Sequence, residues 1–327
     1  MTRFVMRRLL LLIPFLFLIS VVAFVIIQLP PGDFVDTYVR NLEAQGGTVN
    51  AAQTAALRAR YGLDEPMWLQ YWIWMSNLLQ GDFGNSFLFD RPVADVLAER
   101  VPRTVALAVA SMTVTWLIAI PVGIFSALRK YSVGDHVATF LSFVGVAVPP
   151  FLLALVGMYL VFDRTGFLIT GLYSPEFRSE PWSPAKVGDL LKNTWLPIAV
   201  LAVTGAAGTI RVLRSSLLDE LKKLYVTTAR AKGLPEHKVI LKYPVRIAIN
   251  PLISTIGWML PAMVGGEVVV SKVLNLPTTG PVLLESILAQ DMYLTGAIVL
   301  ILSALTIIGT LLSDILLAAA DPRIRYQ

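Results

Sequence analysis

The residues of this chain that could take part in chemistry are few, and the most conspicuous is one carboxylate. Glu267 lies within an apolar run, 248–270, and a charged group at that depth in a lipid bilayer normally faces a cavity or a partner. We expect it to line or gate a passage; the alternatives are a buried structural hydrogen-bond acceptor or a group near enough to the outer surface to be solvated. Pro149 and Pro261 also interrupt apolar runs, and the kinks expected there could open a pore or be ordinary features of membrane helices.

Other residue patterns that carry out chemistry are missing from the sequence. It has no cysteine and only two histidines, His136 and His237, which are far apart. It also lacks the Gly-x-x-x-x-Gly-Lys-Ser/Thr motif of phosphate-binding loops and the Gly-x-Ser-x-Gly and His-Glu-x-x-His motifs of hydrolases. We therefore expect no enzyme activity, no metal and no cofactor in this chain.

The composition requires an apolar solvent around most of the chain. Of its 327 residues, 56% are hydrophobic and 15% are charged, against about 25% charged in soluble domains. Because lipid leaves no water to pair with an open backbone, long apolar runs predict helices, and we expect an all-α polytopic membrane protein with six transmembrane helices. The first run is too long for a cleaved signal peptide, which is the alternative there. The six runs are Leu9–Gln28, Thr104–Leu128, His136–Phe162, Thr194–Val212, Ala248–Val270 and Tyr293–Ala319.

The distribution of charge predicts the orientation. Lys and Arg outnumber Asp and Glu in the loops on the side of the N-terminus, and such an excess marks the cytoplasmic side. Both termini are therefore expected in the cytoplasm. The net charge of +5 then follows from topology and needs no nucleic-acid partner.

The inner loop 214–246 is the most informative segment. Apolar residues at helical spacing predict a helix over Ser215–Lys232, Gly233 suits the left-handed residue that ends a helix, and Pro235 suits the first turn of another. We expect two short helices around a glycine corner at the membrane face, able to transmit force. An interfacial helix whose basic residues face lipid phosphates is the alternative.

One segment of this loop resembles a known motif. Thr227–Leu234, Thr-Thr-Ala-Arg-Ala-Lys-Gly-Leu, is similar to the cytoplasmic coupling motif of binding-protein-dependent ABC transporter permeases, in its dipeptide/oligopeptide version. The resemblance covers nearly the whole chain, in order and at matching spacings. The further matching segments are Arg60–Pro66, Gly81–Ser86, Arg100–Thr104 and Asp321–Tyr326.

The resemblance implies a type I ABC importer permease fold in the bacterial inner membrane, with residues 1–103 as an N-terminal helix plus an outer loop with an amphipathic helix, and 104–327 as a five-helix core. It implies that the chain forms half of a pore with a homologous second permease. Two ATPase subunits would bind ATP and magnesium, and a periplasmic or lipid-anchored binding protein would deliver the solute. The residues implied to contact an ATPase are Thr228, Ala229, Arg230, Ala231, Lys232, Gly233 and Leu234.

The resemblance also implies a cargo. Di- and oligopeptides are expected from the subfamily, but this chain has Ser271 and Pro277-Thr278 where many peptide permeases have a glutamate and Pro-Gly. Oligosaccharides or nickel, which related permeases import, remain alternatives. An ion-coupled secondary carrier is a further alternative, and it would need a charged partner for Glu267 at mid-membrane.

Overall fold

A computed structural model describes residues 2–29, 31–44 and 50–320 of the protein. Side chains are described throughout these ranges except at residues 2–9, 11, 41, 60, 61, 258–267 and 320. The chain divides into two compact units, the first Met1–Arg103 with Thr278–Leu305 and the second Thr104–Pro277 with Thr306–Gln327. The sequence predicted a division into 1–103 and 104–327, whereas the structure groups residues 278–305 with the N-terminal part.

Nearly all regular structure in the described residues is helical, which confirms the all-α prediction. The helices are α1 (Thr2–Gln28), α2 (Phe34–Ala44), α3 (Ala51–Tyr61), α4 (Met67–Leu79), α5 (Val93–Leu128), α6 (Val133–Ala147), α7 (Pro150–Thr165), α8 (Pro184–Glu220), α9 (Leu224–Ala231), α10 (Glu236–Lys242), α11 (Pro244–Ala248), α12 (Asn250–Val273), α13 (Thr279–Leu288) and α14 (Met292–Ala320). Two short antiparallel strands, β1 (Asn85–Ser86) and β2 (Arg91–Pro92), pair with each other, and Pro175–Phe177 forms a 3-10 turn.

Several helices are long and apolar enough to cross a membrane. Among the described residues these are α5, α8, the helical stretch Glu236–Gly257 and α14. Helices α6 and α7 form a further span if taken together, although they are bent by 101°, and α1 contributes a shorter apolar stretch, Leu12–Gln28. The predicted polytopic helical membrane protein is confirmed, and the exact number of six spans stays a prediction.

In the first unit, the aromatic helix α4 packs against α1. The hydroxyls of Tyr71 and Ser20 are 2.9 Å apart, and the amide of Gln28 donates to the side-chain oxygen of Gln70 at 3.0 Å. Trp74 is only 1% exposed and stacks on Phe24. The sequence predicted an amphipathic helix in this part of the outer loop, and the contacts fix one of its faces onto the first apolar helix.

In the first unit, a buried carboxylate connects the start of α14 to the strand pair. Asp291, between α13 and α14, accepts hydrogen bonds from the Ser86 hydroxyl at 2.6 Å and from the Leu88 amide at 3.0 Å. Its other oxygen accepts from the amide of Leu294 at 3.1 Å and so caps α14. Residue 86 belongs to the Gly81–Ser86 segment noted in the sequence, so this cap gives that segment a structural role.

In the second unit, α8 is the helix along which α6 and α7 lie. A Cβ atom at Gly157 of α7 would lie 2.6 Å from Leu196, and one at Gly145 of α6 would lie 3.0 Å from Ala207. As the chain advances from α6 to α7, its contacts on α8 therefore move back from Ala207 to Leu196, so the pair runs antiparallel to α8. The break between them falls at Pro149, where the extended backbone before a second proline cannot continue the helix, as the sequence predicted.

Candidate functional site

The inner loop between α8 and α12 is built from short helices joined by tight corners. Helix α8 runs on to Glu220, α9 begins at Leu224, and α10 and α11 follow before α12. The sequence predicted one helix over Ser215–Lys232, and the structure divides this stretch at Leu221–Lys223. The predicted corner is at Gly233, whose φ of 74° lies in the left-handed region.

A small apolar core holds the two arms of the corner together. Val226 and Ala229 of α9 are buried against Val239 of α10, with Tyr225 and Tyr243 packed around them. This core explains why α9 separates from α8, since turning at Leu221–Lys223 lets α9 place two small side chains against α10. The loop is thus a folded element with its own interior.

Polar contacts brace the same corner from outside. The guanidinium of Arg230 donates to both carboxylate oxygens of Glu236, with a shortest distance of 2.6 Å. The Tyr225 hydroxyl donates to a carboxylate oxygen of Glu220 at 2.5 Å, which ties α9 to the end of α8. The Arg230–Glu236 pair is exposed, at 44% and 55%, so its contribution is to orientation more than to stability.

The residues predicted to contact an ATPase fall into two groups. Ala229 points into the loop's own core, where it is 6% exposed, and Arg230 is engaged by Glu236. Except for Ala229, all of them lie on the outer surface of the corner, and no described atom lies within 4 Å of a Cβ atom added at Gly233. The exposed members are Thr228, Arg230, Ala231, Lys232, Gly233 and Leu234.

The loop is anchored on the spans by a second apolar cluster and an ion pair. Leu213 and Leu217 of α8 pack with Val245 and Ala248 of α11, which fastens both ends of the loop to one another. Arg214, the first residue of the predicted loop, forms an ion pair at 2.7 Å with Asp135 of α6, which is 2% exposed. The sequence analysis did not single out Asp135. The signal that could have drawn attention to it is a lone acidic residue at the start of an apolar helix.

The three predicted pore residues are placed to different extents. Pro149 stands at the 101° bend between α6 and α7. Pro261 and Glu267 belong to the backbone of α12, but their side chains lie outside the described residues, and their predicted roles stay predictions. The described part of the chain contains no group of three or more metal-ligating side chains.

The arrangement offers a rigid, exposed corner for another protein, held by helices that are apolar enough to span a bilayer. The chain belongs to the family of binding-protein-dependent transport system inner membrane components, which matches residues 119–326, and its residues 1–108 match the N-terminal family of the same membrane components. It is therefore a multi-pass permease component of an ABC transporter that has other subunits, as the coupling motif predicted.

Two of its relatives illustrate a similarity that extends over the full length of both chains. The chain is 34% identical to the oligopeptide transport system permease protein AppB of Bacillus subtilis (strain 168), covering 100% of both chains. It is also 34% identical to the glutathione transport system permease protein GsiC of Escherichia coli (strain K12), again over 100% of both.

Proposed function

We propose that this chain is one half of the translocation pore of an ATP-driven importer, and that its Gly233 corner docks on an ATPase subunit. The observation that carries the proposal is the construction of the corner. Its interior is filled by the core around Val226, and its arms are braced by the Arg230–Glu236 pair. None of the described atoms of the chain comes within 4 Å of a Cβ atom added at Gly233 on its outer surface. A preformed and rigid element of this kind can transmit a displacement of the ATPase to the membrane helices without deforming.

The complete transporter would contain further subunits. A homologous second permease would supply the other half of the pore, two ATPases would bind ATP and magnesium and hydrolyse ATP, and a periplasmic or lipid-anchored protein would bring the solute. Closing of the ATPases would draw the two corners together and open the pore outward, and hydrolysis would reset it. The chain would lie in the bacterial inner membrane with both termini in the cytoplasm.

The proposed cargo is a di- or oligopeptide. The relatives named above carry oligopeptide and glutathione in their names, and glutathione is itself a small peptide. Uptake of a labelled dipeptide and a labelled pentapeptide into cells that contain the complete transporter tests this proposal. Competition by unlabelled peptides is expected; competition by an oligosaccharide or by nickel alone would contradict it.

The docking surface can be tested by cross-linking, because the chain contains no cysteine of its own. Lys232→Cys, at an exposed position on the corner, should form a cross-link to an ATPase subunit when the membranes are treated with a short reagent that joins a thiol to a lysine amine. A cysteine at Arg178, exposed in the loop before α8, is the matched control and should form none. Cross-linking of both, or of the control alone, would contradict the proposed docking face.

A further inference from the structure

A buried and fully hydrogen-bonded carboxylate of the second unit is that of Asp135, in the first turn of α6. Arg214 of α8 holds it in a two-point contact, with Nε donating to Oδ1 at 2.8 Å and Nη2 donating to Oδ2 at 2.7 Å. Asp135 is 2% exposed and Arg214 is 24% exposed, so the pair is shielded from most of the solvent. Two parallel hydrogen bonds between planar groups fix orientation as well as distance.

The same carboxylate also engages the end of α5 and the connection to α6. The buried hydroxyl of Ser126 on α5 donates to its Oδ1 and accepts from Nε of Arg214 at 3.1 Å. The amide of Tyr131 donates to Oδ2 at 2.8 Å. Three helices, α5, α6 and α8, are therefore joined at one carboxylate whose two oxygens are both occupied.

The position of this junction is informative. Arg214 lies beside Leu213 and one turn before Leu217, which pack against α11 at the far end of the inner loop. From Asp135, helices α6 and α7 continue along α8 as far as Leu196, with the bend at Pro149 between them. The junction thus connects the base of the loop to the broken span.

Stability alone is a weak reason for such a pair. Removing two charges from water costs free energy that their attraction barely offsets, and apolar residues of similar volume often serve as well. A two-point ion pair differs from apolar packing because it prevents one helix from sliding or rotating on another. We propose that Arg214 and Asp135 are positioning residues that make the inner loop, the end of α5 and the broken span α6–α7 move as one body, so that displacement of the Gly233 corner reaches the bend at Pro149. This inference rests on the proposed function.

The test uses the complete transporter in proteoliposomes and measures solute molecules imported per ATP hydrolysed. Asp135→Asn and Arg214→Gln should lower this ratio about tenfold, a size typical of coupling between sites, while ATP hydrolysis continues. Arg214→Lys keeps the charge but loses the two-point contact, and it should give an intermediate ratio. The matched control is Arg91→Gln, which breaks the exposed two-point pair of Arg91 with Glu99 in the first unit and should leave the ratio unchanged.

A double variant separates positioning from folding. Asp135→Leu with Arg214→Met removes both charges but keeps apolar volume, so the complex should assemble even if the single variants do not. An assembled double variant that hydrolyses ATP and imports little would support the proposal. A normal ratio in the double variant or in Arg214→Lys would overturn it, because the fixed orientation would then be unnecessary. If the wild-type complex imported nothing with ATP, the proposed function itself would be wrong. That outcome differs from failure of the positioning proposal, in which the wild type imports normally and the variants do too.

Discussion

The corner at Gly233 allows a prediction with a magnitude taken from the structure. Its φ is 74°, and a Cβ atom added there would meet no described atom of the chain within 4 Å. Replacement by alanine therefore adds backbone strain without a clash against the described part of the chain. That strain is about 1–2 kcal/mol for an L-residue other than glycine, and asparagine is tolerated better because its side chain can hydrogen-bond locally.

A strain of this size shifts the local equilibrium between the native corner and other conformations by about 5- to 30-fold. In the order glycine, asparagine, alanine, valine at residue 233, the amount of ATPase that co-purifies with the permease from detergent should fall step by step. Uptake driven by ATP should fall in the same order. Titration of the complex with purified ATPase subunits gives the apparent affinity for each variant.

The chain offers a matched control for this series. Gly166, at the C-terminal end of α7, has a φ of 67° and equally empty surroundings. Alanine there introduces the same strain, and the binding of the ATPases should stay normal. Equal loss of binding for asparagine and alanine at Gly233 would refute the strain argument, because it would mean that the docked partner excludes any side chain. Normal ATPase binding for all the variants at residue 233 would show that the Gly233 corner is not part of the docking surface.

Three further predictions concern the packing of the chain. Asp291→Asn should lower the free energy of unfolding by about 1–3 kcal/mol, because an amide nitrogen would face donors that the carboxylate accepts. Burial raises the pKa of the Asp291 carboxyl above its ordinary value, so the folded chain binds the carboxyl proton more tightly than the unfolded chain does. The free energy of unfolding should therefore fall as the pH rises from the ordinary pKa of aspartate to the raised pKa of Asp291. Thermal unfolding of both proteins across pH should show that slope in the wild type and lose it in the variant. Gly257→Val should cost about 1–3 kcal/mol in the same assay, because its Cβ would lie 2.8 Å from a backbone atom of α14, whereas Gly208→Ala has open space and should be neutral. Arg230→Ala removes the exposed contact with Glu236 and should change the free energy of unfolding by less than about 1 kcal/mol. A much larger loss of ATPase binding would then report a lost contact with the ATPase, whereas a large loss of thermal stability would contradict the conclusion that this pair contributes to orientation more than to stability.

The inner loop illustrates how far the sequence reaches. Gly233 followed by Pro235 marked the corner correctly, because glycine and proline restrict the backbone at the residues themselves. The division of the predicted helix 215–232 was missed, since Leu221–Lys223 contains no residue that breaks a helix. That break is explained by the packing of α9 on α10, and contacts between separate helices leave no local signal.

The buried charges show the same limit. Asp135 and Asp291 are ordinary acids in the sequence, and although an acid at the start of an apolar run can cap a helix, neither residue indicates its distant partner. Their partners, Arg214 and Ser86, are 79 and 205 residues away along the chain. Only the fold brings these groups within hydrogen-bonding distance, and therefore only the structure could suggest that the first is a positioning residue.

The sequence by itself determined that the chain is a helical membrane protein and which loop resembles the coupling motif of the family. These follow from composition and local spacing, because lipid accepts only backbones that satisfy their own hydrogen bonds. The tertiary structure decided which side chains of the Gly233 corner are exposed, how α4 packs on α1, and how one carboxylate joins α5, α6 and α8. Those features depend on which helix faces meet, and a single sequence does not specify this.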